Sequence, residues 1–266
     1  MPSREIESPL PESAALSDFL DRLGLAPASA LLLDYDGTLA PFRTERDRAY
    51  PYPEVVPLLE QILGRNKTRV VIISGRPVSE VKTLLGPLGG IEMWGSHGLE
   101  RISANGSYVQ ARIAEGVLEL LNEARGWAEE EKLMPLAEVK PGGIAIHWRG
   151  MPQNEVEGIE QRIMKGWAEI ARSPELKLLR FESGMELRVA RPDKGDAVAS
   201  IVGESAPSTE IAYLGDDLTD EDSFRALNGR GLTVLVRSEY RPTAAQVFLK
   251  PPHELIDFLK RWLDRI

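Results

Sequence analysis

The segment Leu31-Leu32-Leu33-Asp34-Tyr35-Asp36-Gly37-Thr38 constrains this chain more than any other. A short continuous apolar run suits a strand covered on both faces of a sheet, and Gly37 turns the chain just beyond it. Asp34 and Asp36 then stand at the carboxyl end of a strand, where open α/β sheets place their ligands. Two like charges so close repel unless a cation lies between them or one holds a proton. The segment points to metal binding, acid–base chemistry, or both. An EF-hand loop is a poorer match: Glu45 falls at its twelfth position, but Leu39 occupies the sixth, which requires Gly, and the flank is a strand.

Further apolar runs alternate with helical patterns. A helix near 54–63 leads to a strand over 69–73, a helix over 78–85 leads to a strand over 91–94, and strands over 211–214 and 232–236 flank a helix over 221–227. This alternation predicts a doubly wound, parallel, Rossmann-like α/β core. The middle differs. Ile113, Val117, Leu120, Leu121, Ala124 and Trp127 keep a helical period, as do Val156, Ile159, Ile163, Trp167 and Ile170. Two strand pairs, 136–139 with 144–148 and 176–181 with 185–190, accompany these helices. The expected organisation is a core of residues 1–108 and 188–266, interrupted by an α+β cap of residues 109–187.

At 266 residues the chain can bury a large core. Its net charge of −9 argues against a nucleic-acid surface. The absence of cysteine excludes thiolate catalysis and disulfides. Met1–Leu16 mixes Pro, Ser and Glu without an apolar core, unlike a signal peptide, and no apolar run reaches the ~18 residues of a membrane span. A cytoplasmic protein without nucleic-acid, membrane or protein partners is expected.

Four polar segments follow a strand or open a helix: Asp34–Thr38, Ser74-Gly75-Arg76-Pro77, Lys194-Gly195, and Gly215–Asp222. Singly, each has an ordinary reading as a turn, a solvated lysine or a helix cap. Together they supply a phosphoryl-transfer site. A carboxylate such as Asp34 is ionised near neutral pH and needs no activating base to attack phosphorus. Asp36 can donate a proton to the leaving alkoxide and take one from water. Asp216, with Asp220 as a further candidate, would complete an oxygen-only magnesium site. Ser74, the amides near Gly75, and Lys194 would hold the phosphate oxygens.

The ordered motifs resemble those of the haloacid dehalogenase-like phosphohydrolases, and the insert is similar to their C2-type cap. That resemblance implies Asp34 as nucleophile, Asp36 as general acid/base, Ser74 and Lys194 as phosphate ligands, and Mg2+ held by Asp34, the Asp36 carbonyl and Asp216. Finer segments look like trehalose-6-phosphate phosphatases: Asp34–Pro41, Ile73–Arg76, Gly95-Ser96-His97-Gly98-Leu99-Glu100 and Gly215–Asp222. In the cap, Glu138-Val139-Lys140-Pro141, His147-Trp148-Arg149 and Glu186-Leu187-Arg188 are similar to that family's sugar-reading run. The resemblance places Gly75, Arg76, His97, Glu100, Glu138, Lys140, Arg149 and Glu186 around phosphate and sugar, with Thr38, Asp217 and Asp220 in support. Taken alone, His97 reads equally as a structural histidine or a neighbour of the site. Two positions depart from the family pattern: Glu182 stands where Lys is common, and Val189 where Pro is usual. The implied substrate is trehalose 6-phosphate. Another sugar phosphate is the alternative, with a phosphomutase-type transferase or a non-catalytic sugar-phosphate sensor behind it.

Overall fold

The computed structural model describes residues 13–43, 45–181 and 183–266. Glu182 and most of the Met1–Leu16 stretch thus lie outside the described residues. The chain runs α1 (Ala14–Leu25), β1 (Ala28–Leu33), α2 (Val55–Gly64), β2 (Thr68–Ile73), α3 (Val78–Leu85), β3 (Glu92–Gly95), β4 (Glu100–Ile102) and β5 (Tyr108–Gln110). It continues through α4 (Glu115–Glu130), β6 (Ala137–Lys140), β7 (Gly143–His147), α5 (Gln153–Gly166), β8 (Leu176–Phe181) and β9 (Gly184–Val189). The return comprises α6 (Lys194–Glu204), β10 (Thr209–Gly215), α7 (Glu221–Leu227), β11 (Leu232–Val236), β12 (Val247–Leu249) and α8 (His253–Arg265).

The larger sheet has the order β12-β11-β10-β1-β2-β3-β4-β5, parallel from β12 to β3 and antiparallel beyond. The period of two explains the three layers. Leu31 and Leu33, Val70 and Ile72, and Ala212 and Leu214 point into one core with α1, α2, α3 and α8. Leu32, Val71, Ile73, Ile211 and Tyr213 point into the other with α6 and α7. Each fully buried aliphatic side chain contributes ~1.5–3 kcal/mol, so both faces reward the apolar runs.

The smaller sheet, β6-β7-β9-β8, is antiparallel throughout. It packs against α4 and α5 around Trp167, whose indole N–H donates to the Ala124 carbonyl at 3.1 Å. Val109 and Gln110 pair within the larger sheet, and Arg188 and Val189 within the smaller one. Each sheet thus reaches two residues past the edges expected at 108/109 and 187/188. Leu99, on the turn between β3 and β4, inserts into the hydrophobic core of the smaller module. It sits so close to Gly142 that a Cβ there would lie 2.0 Å from Leu99 Cδ1. Among the described residues no helix is long and apolar enough to cross a membrane.

Candidate active site

Adjacent strands β10, β1 and β2 end together, and their parallel direction gathers the residues that follow them. Asp34 follows β1, Ser74 follows β2 and Asp216 follows β10; the Asp34 amide donates to the Leu214 carbonyl at 2.8 Å. Lys194 arrives from the first turn of α6, which Asp193 and Asp196 close with a reciprocal capping box.

Buried Lys194 bridges two buried carboxylates, donating to Asp34 Oδ1 at 2.6 Å and Asp220 Oδ1 at 2.7 Å. Burial opposes its charge, yet Asp220 and Asp34 together hold the ammonium well above its usual range. Asp220 is saturated. It also accepts from the Tyr213 hydroxyl at 2.5 Å and from the amides of Asp216 and Asp217, each at 3.0 Å. Burial works against its charge, but Lys194 and these donors keep its carboxyl below the ordinary value. Asp220 therefore positions Lys194 and has no oxygen to spare. Asp217 is half-buried and caps the short turn Leu218–Asp220.

The rest of the cluster has too much negative charge. Burial, and then Asp34, push the Asp216 carboxyl well above its normal value. Asp34 is likewise raised, chiefly by burial and against the pull of Lys194. Asp216 Oδ2 is buried without a hydrogen-bond partner. It lies in a cradle that a Cβ on Gly37 would fill, at 2.1 Å from that oxygen, and Gly37 has φ +79°. Asp34, Asp216 and Asp220 bring oxygen atoms within 4.8 Å of one another. An orphaned carboxylate oxygen beside a second carboxylate, with oxygen donors only, fits a hard divalent cation. Thr38 supports Asp34 from the other side, its hydroxyl donating to Oδ2 at 3.3 Å.

Asp36 turns away from Lys194. Arg76, buried, grips it in a two-pronged contact at 2.6 and 2.7 Å and also donates to Glu80 at 3.2 Å and the Arg46 carbonyl at 3.0 Å. Arg76, expected beside the phosphate, lines the cavity and in this structure holds Asp36. Glu100 departs from expectation. It accepts from the Ser96 hydroxyl at 2.5 Å and the Tyr108 hydroxyl at 3.1 Å, and lies outside the cavity. Its carboxylate instead braces the turn on which Ser96 and His97 adopt φ of +48° and +58°. Gly75 leaves room for His97; a Cβ there would meet the imidazole at 2.7 Å.

The smaller module forms the opposite wall. Glu138, Lys140 and His147 line the cavity with Asp34, Asp36, Ser74, Gly75, Lys194 and Asp216, and so do His97 and Glu186. Lys140 joins Glu186 at 2.8 Å and Glu138 at 3.6 Å, and His97 Nε2 meets Glu186 Oε2 at 3.1 Å. Burial opposes ionisation of Glu138, but His147, Lys140 and Arg46 hold its pKa down to about 2. Glu186 is held well below its usual range by Lys140 and His97, again against burial. Burial lowers His97 to about 4 despite Glu186. Arg149 donates to Ser183 Oγ at 3.3 and 3.2 Å and to the Arg43 carbonyl, and lies over the Phe42 ring. It therefore straps the smaller module to the larger one.

Arg46, Phe42 and Phe181 also line the cavity, and none has a motif signal in the sequence. The cavity measures 110 Å³. A wider groove of 830 Å³ lies at the amino ends of β1 and β2, away from the carboxylates.

A sequence profile of the trehalose-phosphatase family matches residues 32–253. The chain belongs to this family. Among its trehalose-phosphatase relatives, the trehalose-phosphate phosphatase of Mycobacterium ulcerans (strain Agy99) is 31% identical over 271 residues, covering 94% of this chain and 67% of that protein. The trehalose-phosphate phosphatase of Mycolicibacterium paratuberculosis (strain ATCC BAA-968 / K-10) is 31% identical, covering 97% of this chain and 68% of that protein. The fold matches the C-terminal domain of Candida albicans trehalose-6-phosphate phosphatase with a TM-score of 0.80 at 20% identity, covering 97% and 99% of the two chains. A trehalose-6-phosphate phosphatase related protein matches with a TM-score of 0.66 at 26% identity, over 87% and 96% of the two chains. A haloacid dehalogenase-like hydrolase of Bacteroides thetaiotaomicron shares the fold with a TM-score of 0.63 at 15% identity, over 88% and 99%.

Proposed function

We propose that this protein hydrolyses trehalose 6-phosphate to trehalose and phosphate through an aspartyl-phosphate on Asp34. The observation that carries the reading is the buried Asp34–Lys194–Asp220 arrangement facing, across one cavity, the ionised carboxylates Glu138 and Glu186. One wall suits a phosphate and the other suits sugar hydroxyls, which both donate and accept hydrogen bonds. Family membership and the names of the relatives support a phosphatase acting on trehalose phosphate.

In the first half-reaction an Asp34 oxygen forms a bond to phosphorus while the phosphorus–sugar oxygen bond breaks. Asp36 gives its proton to the departing sugar oxygen. Water then attacks the aspartyl-phosphate and breaks the bond between phosphorus and Asp34, returning a proton to Asp36. The proton balance closes over one cycle. Arg76 fixes where Asp36 stands between these transfers. Lys194 and the Ser74 hydroxyl bind phosphate oxygens, Lys194 being aligned by Asp220. Asp34, Asp216 and the Asp36 carbonyl would hold Mg2+, which when bound neutralises negative charge between carboxylates and phosphate.

Residues 111–190 act as a cap that reads the sugar and excludes water. Ligand pockets usually measure ~300–1,000 Å³, so a cavity of 110 Å³ admits a disaccharide phosphate only when the cap swings outward. The test is turnover of a sugar-phosphate panel by purified protein with magnesium. Trehalose 6-phosphate should be strongly preferred. A preference for glucose 6-phosphate, sucrose phosphate or mannosyl-3-phosphoglycerate would overturn the substrate, and transfer to a sugar acceptor without phosphate release would overturn hydrolysis.

A further inference from the structure

We infer that Arg46 is a positioning residue that fixes the span between the phosphate end and the sugar end of the site by holding Glu138. Resting as it does on the trehalose 6-phosphate reading, the inference adds a specificity determinant contributed by the core instead of the cap. Glu138 is gripped by His147 at 2.9 Å and Lys140 at 3.6 Å, both of which ride on the cap sheet with it. Arg46 is different. It pairs with Glu138 from the loop between β1 and α2, on the core side.

The core end of Arg46 is anchored twice. Its guanidinium lies 3.6 Å from Glu80 on α3, and its carbonyl accepts from Arg76 at 3.0 Å. Arg76 is the residue that grips Asp36. Asp36, Arg76, Glu80, Arg46, Glu138, Lys140 and Glu186 thus form a row of alternating charge from the phosphate side to the sugar side of the cavity. Within that row only the Arg46–Glu138 contact crosses from core to cap. The phosphate-binding groups are fixed to the core, whereas Glu138 moves with the cap. A cation anchored on the core therefore sets how far Glu138 stands from the phosphate.

On this reading Glu138 meets the sugar and not the phosphate. Loss of Arg46 should then weaken binding of a disaccharide phosphate more than it slows phosphoryl transfer. The experiment compares wild type, Arg46→Ala, Arg46→Lys, Glu138→Gln and the Arg46→Ala/Glu138→Gln double variant. Substrates are trehalose 6-phosphate and p-nitrophenyl phosphate, with thermal melts as a folding check. Arg46→Ala should raise KM for trehalose 6-phosphate about tenfold or more, with kcat within about threefold. Its kcat/KM should fall by a similar factor relative to that on p-nitrophenyl phosphate. Arg46→Lys, which keeps the charge, should recover part of the loss, and Arg46→Ala should add little once Glu138 is Gln. An unchanged KM, a loss confined to kcat, or additive effects of the two substitutions would overturn the assignment. If wild type itself lacks a preference for trehalose 6-phosphate, the substrate reading falls. The same cycle on the best sugar phosphate then still decides whether Arg46 acts through Glu138.

Discussion

Gly37 and Gly126 offer the same chemical change with opposite expected signs. At Gly37, φ is +79°, and an added Cβ would stand 2.1 Å from Asp216 Oδ2, 2.4 Å from Asp216 Cγ and 2.8 Å from Phe42 Cε2. Left-handed backbone costs an alanine ~1–2 kcal/mol. Forcing a methyl into packed surroundings costs a further ~1–3 kcal/mol. Gly37→Ala should therefore lose ~2–5 kcal/mol, a fall in melting temperature of roughly 4–9 °C for a chain of this size. Asp216 Oδ2 must also retreat by about 1.3 Å to reach ordinary van der Waals contact. A displacement of ~1 Å can cost about 100-fold in rate. Gly126 lies inside α4 with nothing within 4 Å of the added Cβ. Gly126→Ala should stabilise by ~0.5–1 kcal/mol and leave turnover alone. The assays are urea denaturation, calorimetric titration with magnesium, and phosphate release from trehalose 6-phosphate. Gly37→Ala should melt early, bind magnesium weakly and turn over slowly. Wild-type magnesium affinity together with a stability loss under about 0.5 kcal/mol would refute the claim that Gly37 leaves room for Asp216.

Asp34→Asn removes the attacking carboxylate. Turnover should fall by more than about 1,000-fold while the protein stays folded, and retained activity would remove Asp34 as nucleophile. His97 makes a pH prediction. Burial lowers its folded pKa to about 4 from an ordinary 6.5. The unfolded chain therefore binds the proton first, so stability is complete above pH ~6.5 and is lost as the pH falls towards ~4. The loss is about 3 kcal/mol at most, and His97→Gln should flatten that part of the melting-temperature profile; a parallel profile would contradict it. Glu138 titrates in a separate, lower window. Its folded pKa of about 2 keeps its contribution intact above pH ~4.5 and removes it as the pH falls to ~2. Glu138→Gln should therefore show no difference in slope from wild type between pH 5 and 7.

The central strands were legible because β1, β2 and β10 are apolar on both faces, which few other elements require. The segments over 78–85, 176–181, 221–227 and 232–236 coincide with α3, β8, α7 and β11. Three-residue β4 and β5 are too short to carry a periodic signal, and three-residue β12 is hardly longer than a turn. The terminal helix α8 is absent from the sequence reading although Leu255, Ile256, Phe258, Leu259 and Trp262 lie on one buried stripe. In the site, Asp34, Ser74, Lys194 and Asp216 were legible from their places at strand ends and a helix start. The partners of Arg76 and Glu100 were not. A long cation beside a phosphate motif can satisfy a carboxylate as readily as an anionic ligand. Only the fold decides that Arg76 reaches Asp36 and that Glu100 receives Ser96 and Tyr108. Arg46 had no signal at all, since its partner lies on another module, 92 residues further along the chain.

Leu99 has a consequence for modularity. The smaller module joins the larger at two chain crossings, which invites its transplantation between relatives. Yet its hydrophobic centre contains a side chain that the larger module supplies. A graft cut at the crossings would leave Leu99 facing either a void or a mismatched socket, and the Gly142 recess that receives it would travel without its occupant. A buried leucine lost in this way costs ~2–5 kcal/mol. Chimaeras of this architecture should therefore move the Leu99 turn together with the Gly142 hairpin, so that the joint travels with the part it carries.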